Sequence, residues 1–392
     1  MLNHKIRRAL DYARTLLWFF ALTPVAALAR RLVPSMKGLW LVMERGNDAR
    51  DNGYWLYRYL RTERPEINAR YVITPDSPDA GRIAALGGAV RFGSLRHKLM
   101  YLAADRLIGS HVYPAAPDLI LFYHLAQHGV RARGRQVFLQ HGITKDEMAW
   151  LHRASMPIDL FACGAEPEYA YIRDTFGHPE GVARYLGLCR FDHLITAGSP
   201  AREILLMPTW RGAHYPSGDD FPGTAFYRHY QALLDSPALH ALLEAADCTL
   251  VFYPHIELQR ELHHFHAASP RIVLASSGTH DVQALLMRCS VLVTDYSSVY
   301  FDVAYLGRPV IYDQFDEAEF RALHYQKGYF DYDRDGFGPV CRTEQALLDA
   351  LDACVRRDFA PEETYRARAE RFFPLRDANN CRRTCEAIAS LG

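Results

Sequence analysis

The stretch "VLVTDYSSVYFDVAYLGRPVIYD", residues 291–313, decides the fold. An apolar run ends at Thr294 and Asp295. Ser297 and Ser298 then precede a segment whose apolar positions Val299, Val303 and Leu306 keep helical spacing. Gly307 closes that segment, Pro309 prevents its extension, and a second apolar run follows. Two buried strands joined by a crossover helix pair in parallel. The start of the helix offers free backbone N–H groups, and the serines add two hydroxyls. That suits a phosphate, although simple N-capping by serine fits the same residues.

The same rhythm extends over most of the chain. Candidate strands are 38–44, 69–74, 89–92, 105–111, 136–142, 159–164 and 184–188, and, after a break at 196–203, 204–210, 249–255, 271–277, 291–297 and 309–315. Near-continuous apolar strands alternating with helices predict parallel sheets covered on both faces. The 392 residues exceed one typical core. The expected fold class is α/β, with two Rossmann-like domains facing a cleft in a GT-B-like arrangement. The expected bounds are 1–36 for an N-terminal segment, 37–200 for the first domain and 201–392 for the second. Helices near 343–357 and 376–390 are expected to cover or bridge the domains.

Polar residues recur where the strands end. "QVFLQHGITKDE" (136–147) runs from a buried-looking strand into Gln140, His141 and Gly142. "FYPHIELQ" (252–259) repeats that arrangement with Pro254 and His255, and "PTWRG" (208–212) places Thr209 and Arg211 beyond another strand. Ligands of open α/β sheets bind at such carboxyl edges. One histidine at a strand end is commonly structural. Two, one per domain, point to chemistry: a base toward an attacking hydroxyl, and a donor that stabilises charge on a phosphate. Arg211 is read as a phosphate clamp, against the plain reading of a solvated loop arginine.

Composition narrows the classes. Hydrophobic residues make up 49% of the chain, enough for a globular core, and the formal net charge is zero. No global basic field exists to hold nucleic acid, so an anionic ligand must be met by local groups. The eight cysteines contain no C-x-x-C pair, which disfavours a zinc site or disulfide framework and fits a reducing compartment. No P-loop, G-x-G-x-x-G or G-x-S-x-G string occurs. "DYDRDG" (331–336) lacks the later glutamate of a calcium loop and is read as a loop.

The N-terminus has several readings. Basic flanks enclose an uncharged stretch from Thr15 to Ala29, short for a membrane span and interrupted by Pro24. Ala27-Leu28-Ala29 imitates a signal-peptidase site, and a packed helix is the plainest alternative. The favoured expectation is an interfacial helix. It puts Leu17, Trp18, Phe19 and Phe20 in the lipid boundary and Arg7, Arg8, Arg30 and Arg31 against anionic head groups.

The strings "LQHG", "GLCRFD", "ILLMPTWRG", "YPH", "VTDYSSVYFDVAYLGRPVIYD" and "KGYFDYDRDGFGPV" occur in the order seen in CDP-glycerol glycerophosphotransferases. "ERGNDARDNGYWLYRYL" (44–60) also resembles that family's early motif. The resemblance covers roughly 40–350 and departs from the family's usual string at Gln140 and Ile143. It implies a GT-B-like fold and transfer of a polyol phosphate from CDP-glycerol, or another CDP-polyol, to a hydroxyl, with CMP released. The acceptor would be lipid-linked or a polysaccharide, in teichoic-acid-like or capsule polymer synthesis. The resemblance assigns the family's two histidines to His141 and His255, and donor binding to Thr294, Asp295, Ser297 and Ser298. It implies a peripheral place on the cytoplasmic face of the membrane, and so favours the interfacial reading of the N-terminus. No metal motif is seen, so neutralisation by protein groups is expected, with a magnesium ion left open. The alternative function is a GT-B glycosyltransferase or an epimerase acting on a nucleotide sugar in the same cleft.

Overall fold

The computed structural model describes residues 2–121, 125, 128–212, 215–323 and 326–392. The chain forms two units, each with its own parallel sheet. Unit 1 comprises Met1–Ile143, Ala149–His193 and Asp377–Gly392, and unit 2 comprises Thr144–Met148 and Leu194–Arg376.

Unit 1 contains β1 (Trp40–Met43), β2 (Ala69–Ile73), β3 (Ala89–Arg91), β4 (Arg106–Gly109), β5 (Arg135–Phe138), β6 (Leu160–Cys163) and β7 (Ala183–Tyr185) in the order β3-β2-β1-β4-β5-β6-β7. Unit 2 contains β8 (Glu203–Leu206), β9 (Thr249–Phe252), β10 (Ile272–Leu274), β11 (Val291–Thr294), β12 (Val310–Asp313) and β13 (Val340–Cys341) in the order β10-β9-β8-β11-β12-β13. All pairings are parallel. Every expected strand is present. β13 was not expected, because two residues carry no periodicity. In each sheet the order reverses beside the first strand, between β1 and β4 and between β8 and β11. Doubly wound sheets open their ligand crevice at such a switch point.

The strands run apolar because helices cover both faces. One core layer of unit 1 joins Val42, Tyr71, Ile108, Val137 and Leu160 to Leu56 and Leu60 of helix Asn52–Thr62. It also contains Cys381, Cys385 and Ile388 of helix Asn380–Ala389. The C-terminal helix therefore belongs to unit 1, whereas the sequence placed it in the second domain. Three devices dock it. Asp192 accepts hydrogen bonds from the backbone N–H groups of Asn380 and Cys381, both at 2.8 Å. Arg106 donates to the Ile388 carbonyl at 3.0 Å. Gly187, at φ 76°, leaves room for Asn380, whose Oδ1 would lie 1.8 Å from any Cβ placed there. All eight cysteines are unpaired and buried.

The N-terminal helix Leu2–Leu32 continues through Pro24. It packs on helix Leu95–Ala103. Here the expectation is corrected. Trp18 and Phe19, assigned to lipid, are 9% and 7% exposed and join a core layer with Met36, Leu41 and Met100. The Trp18 ring carries the Lys98 ammonium 5.0 Å from its centroid. Arg30 pairs with Asp105 rather than standing clear, and the Arg8 side chain lies outside the described residues. Leu17 and Phe20 remain 73% and 60% exposed, beside exposed Leu10, Leu28 and Leu32.

Replacing Asp192 by Ala removes the acceptor for two backbone N–H groups of the C-terminal helix. We expect a loss of about 1–2 kcal/mol in urea unfolding. The buried Cys381 and Cys385 thiols should react faster with a thiol reagent. Unchanged stability and labelling would show that the helix docks by its apolar face alone.

Candidate functional site

The carboxyl edge of unit 1 is built around the turn after β5. Gln140 stands at φ 61°, a left-handed conformation that few side chains adopt. Its buried amide makes the turn rigid, donating to the Ala162 carbonyl at 2.7 Å and to Glu168 Oε1 at 3.0 Å. The other Glu168 oxygen accepts from the Gly164 backbone at 2.7 Å. Asn52 donates to the Gln140 carbonyl at 2.8 Å and accepts from the Arg190 backbone at 3.0 Å. Arg190 Nη1 donates to the His141 carbonyl at 3.1 Å and to Asp51 at 2.9 Å. The backbone of His141 is thus held from two sides, and Gly142 continues the bend.

The His141 ring is open to solvent on one side. It stacks on His111, at the exit of β4, with centroids 5.1 Å apart and planes within 2°. Crowding by surrounding protein and the charges of Arg45 and Arg190 push its pKa down to about 4. The ring donates to the Ser110 backbone, which pulls the other way. Its other nitrogen therefore keeps a lone pair at neutral pH. Burial, with the His141 and Arg45 charges, pushes the His111 pKa down to about 2.

Beneath this edge, Glu44 anchors the start of helix Asn52–Thr62. Its carboxylate accepts from the backbone N–H groups of Arg50, Asp51 and Tyr54 at 2.8–3.0 Å. Burial and the charges of Asp51 and Asp48 raise its pKa to about 8 against those donors.

In unit 2 the exits of β8, β11 and β12 are tied together. Asp295 accepts from the backbone N–H groups of Thr209 at 2.9 Å and Tyr296 at 2.6 Å, and from Arg211 Nη1 at 2.8 Å. Arg211 is 1% exposed. Its Nε and Nη2 donate to Asp316 at 2.7 and 3.1 Å, and Nη1 also donates to the Thr209 carbonyl at 2.7 Å. Burial pulls the Arg211 pKa down, and the Asp295 and Asp316 carboxylates more than reverse this, so the guanidinium stays charged. The sequence read Arg211 as a phosphate clamp. The structure corrects this, because each guanidinium nitrogen is already committed to a protein acceptor. Thr294 likewise turns inward, donating to the Met207 carbonyl at 2.6 Å. Thr294, Asp295 and Arg211 are the frame of this edge.

What the frame presents is different. Ser297 and Ser298 are half-buried, and their hydroxyls have no hydrogen bond among the described residues. Helix Tyr300–Tyr305 begins later than expected and takes its N-cap from Val299 without a side-chain cap, so serine N-capping is not what these residues do. His255 follows Pro254 beyond β9. Its backbone N–H donates to the Pro208 carbonyl at 3.0 Å, and its Nδ1 accepts from the Glu257 N–H at 3.3 Å. That fixes the neutral tautomer with its proton on Nε2. Trp210 stacks on the ring at 6.0 Å and 9°. Pro254 accepts from Gln259 at 2.7 Å.

The segment after Gly142-Ile143 is built into unit 2. Lys145 is buried there in an ion pair with Asp146, which also takes Arg321 at 2.9 Å. Arg45, His111, Arg190, Asn52 and Asp316 had no assigned role in the sequence. For Arg190 the string "GLCRFD" was a signal without an explanation.

A family model described as CDP-Glycerol:Poly(glycerophosphate) glycerophosphotransferase matches residues 194–390. The chain belongs to this family. Among curated relatives, the Minor teichoic acid biosynthesis protein GgaB of Bacillus subtilis (strain 168) is 28% identical over 373 residues, covering 91% of this chain and 40% of that protein. The Teichoic acid glycerol-phosphate transferase of Staphylococcus aureus (strain NCTC 8325 / PS 47) is 28% identical over 190 residues, covering 48% of this chain and 45% of that protein. The chain thus spans less than half the length of either. Among solved structures, the Wall Teichoic Acid Polymerase TagF superimposes with a TM-score of 0.69 at 17% identity, covering 99% of this chain and 97% of that one. A UDP-N-acetylglucosamine 2-epimerase from Listeria monocytogenes gives 0.54 at 13%, covering 90% and 95%.

NMR titration of the histidines tests the electrostatics of unit 1. The His141 ring should be neutral from pH 8 to pH 5 and protonate near the value of about 4. Arg45→Ala removes a positive neighbour and should move that midpoint up. A midpoint near 6.5 in the wild type would mean that neither burial nor the charges of Arg45 and Arg190 act on the ring.

Proposed function

We propose that this chain transfers a polyol phosphate, glycerol phosphate or a close relative, from a CDP-activated donor to a hydroxyl, releasing CMP. The observation that carries this reading is a histidine at a strand exit in each unit, His141 with a lone pair and His255 with its Nδ1 accepting from the Glu257 N–H. Family membership supports it, as do the relatives' names and the solved TagF soak with CDPG.

In this reading His141 takes the proton from the acceptor hydroxyl as its oxygen attacks the β-phosphorus in line. The bond from that phosphorus to the bridging oxygen breaks, and CMP leaves with the electron pair. His255 donates from Nε2 to the diphosphate, while the Ser297 and Ser298 hydroxyls receive its oxygens. The chain's own part is positioning and charge stabilisation, as in phosphoryl transfer generally. Arg211 contributes by holding Thr209 and Asp295 in place. The depressed basicity of His141 fits a base that meets an anion, because substrate phosphate offsets the neighbouring arginines.

The test is acceptor-dependent CMP release from CDP-glycerol, with CDP-ribitol as second donor. His141→Ala and His255→Ala should each lower the rate by about 10²–10⁴. Inertness of the wild type with both donors, alongside turnover of a UDP-sugar, would move the chain to the nucleotide-sugar alternative.

The second part of the proposal concerns location, with a lipid-linked acceptor at the cytoplasmic face of a membrane. The Ala9–Leu32 stretch has the length and composition of a membrane span, with a mean hydropathy of 1.4. Burial of Thr15, Trp18, Phe19 and Ala26 against unit 1 instead supports a helix lying in the interface. Its outward row, Leu10, Leu17 and Leu28, is flanked by Arg7, Arg14 and Arg31. The protein should co-sediment with phosphatidylglycerol vesicles. Leu17→Glu combined with Phe20→Glu should cut the bound fraction severalfold without lowering Tm. Equal sedimentation of the double variant would remove the helix from the membrane contact.

A further inference from the structure

We propose that Arg45, oriented by His111, is the residue that selects an acceptor carrying a phosphate or phosphodiester beside the hydroxyl to be extended. This rests on the transfer reading above and assigns the side of the reaction that His141 serves.

Three observations carry it. First, Arg45 follows β1 and His111 follows β4, the two strands that flank the switch point of the unit 1 sheet. Second, Arg45 Nε donates to His111 Nε2 at 2.9 Å. This fixes the proton of neutral His111 on Nδ1 and leaves the two Nη groups of Arg45 without a hydrogen bond among the described residues. Third, Arg45 is exposed, and no carboxylate pairs with it among the described residues. Asp48, three residues further on, accepts instead from the Arg45 backbone at 2.9 Å. The other cation near His141 is Arg190, which is committed to Asp51 and to the His141 carbonyl. Arg45 is therefore the unspent fork at this edge, and a fork of N–H donors matches a phosphate in geometry and charge.

The roles divide accordingly. Arg45 binds, and His111 is a positioning residue that acts through it. His111 is stacked between that duty and the His141 ring, so the anion that reaches Arg45 brings its neighbouring hydroxyl toward His141. The same anion offsets the charge that suppresses the basicity of His141, so an acceptor without a phosphate loses both effects.

The experiment compares a synthetic glycerol phosphate trimer with free glycerol as acceptors, for the wild type, Arg45→Ala, Arg45→Lys and His111→Gln. In the wild type the trimer should be favoured. Arg45→Ala should raise the trimer KM by about 10- to 100-fold, move kcat by less, leave the donor KM in place and erase the preference over glycerol. Arg45→Lys should restore part of the loss, and His111→Gln should lie between. An unchanged trimer KM in Arg45→Ala, with His141→Ala inactive, overturns this inference and leaves the transfer reading standing. Calorimetric titration of the trimer decides the matter without turnover. Binding to the wild type that Arg45→Ala abolishes supports the assignment. Equal binding to both, or none to the wild type, overturns it.

Discussion

A guanidinium with 1% exposure cannot exist without partners, and much of unit 2 follows from how Arg211 finds them. Its donors go to Asp295 beyond β11, to Asp316 beyond β12 and to the Thr209 carbonyl beyond β8. One side chain thereby fixes the relative positions of three strand exits. Removing it would leave two buried carboxylates without their cation, which costs far more than the pair contributes when intact. Unit 1 solves the same problem with other chemistry. There the amides of Asn52 and Gln140 and the carboxylates of Glu44 and Glu168 hold the turns by accepting or donating to backbone groups. In both units the residues that hold the edge are buried and saturated, and those that can meet a ligand are left over from that work.

This division explains what could be read from the sequence. Strand positions were legible because parallel strands covered on both faces must be apolar along their length. His141 and His255 were legible because a polar residue at the end of such a run has few structural excuses. Arg211 was misread because its partners Asp295 and Asp316 lie 84 and 105 residues away. No local pattern distinguishes an arginine that grips a ligand from one that grips its own fold. Trp18 and Phe19 failed for a related reason: aromatic residues that suit a lipid boundary suit a protein core equally well. Gln140 looked like a departure from the family's usual string. Its left-handed backbone and doubly bonded amide give that departure a structural purpose at the turn that carries His141.

The likeness to a UDP-N-acetylglucosamine 2-epimerase at a TM-score of 0.54 shows that this architecture also accompanies other chemistry. The candidate site residues of the present chain sit at strand exits, and their chemical states come from their surroundings: the tautomer of His255 from a backbone N–H, the neutrality of His141 from burial and two arginines, the direction of Arg45 from a histidine.

The chain passes between the units at 143/144, 148/149, 193/194 and 376/377, so that its last sixteen residues, 377–392, complete the first unit. Domains commonly fold in order of emergence during synthesis. Here that order is broken. The face of unit 1 that awaits Cys381, Cys385 and Ile388 stays uncovered until those residues emerge. The whole of Leu194–Arg376 can close while its elder neighbour is still incomplete. A nascent chain stalled before residue 377 emerges would carry a finished second unit and a sticky first one. Quality control would meet it there, at an apolar groove waiting for one late helix.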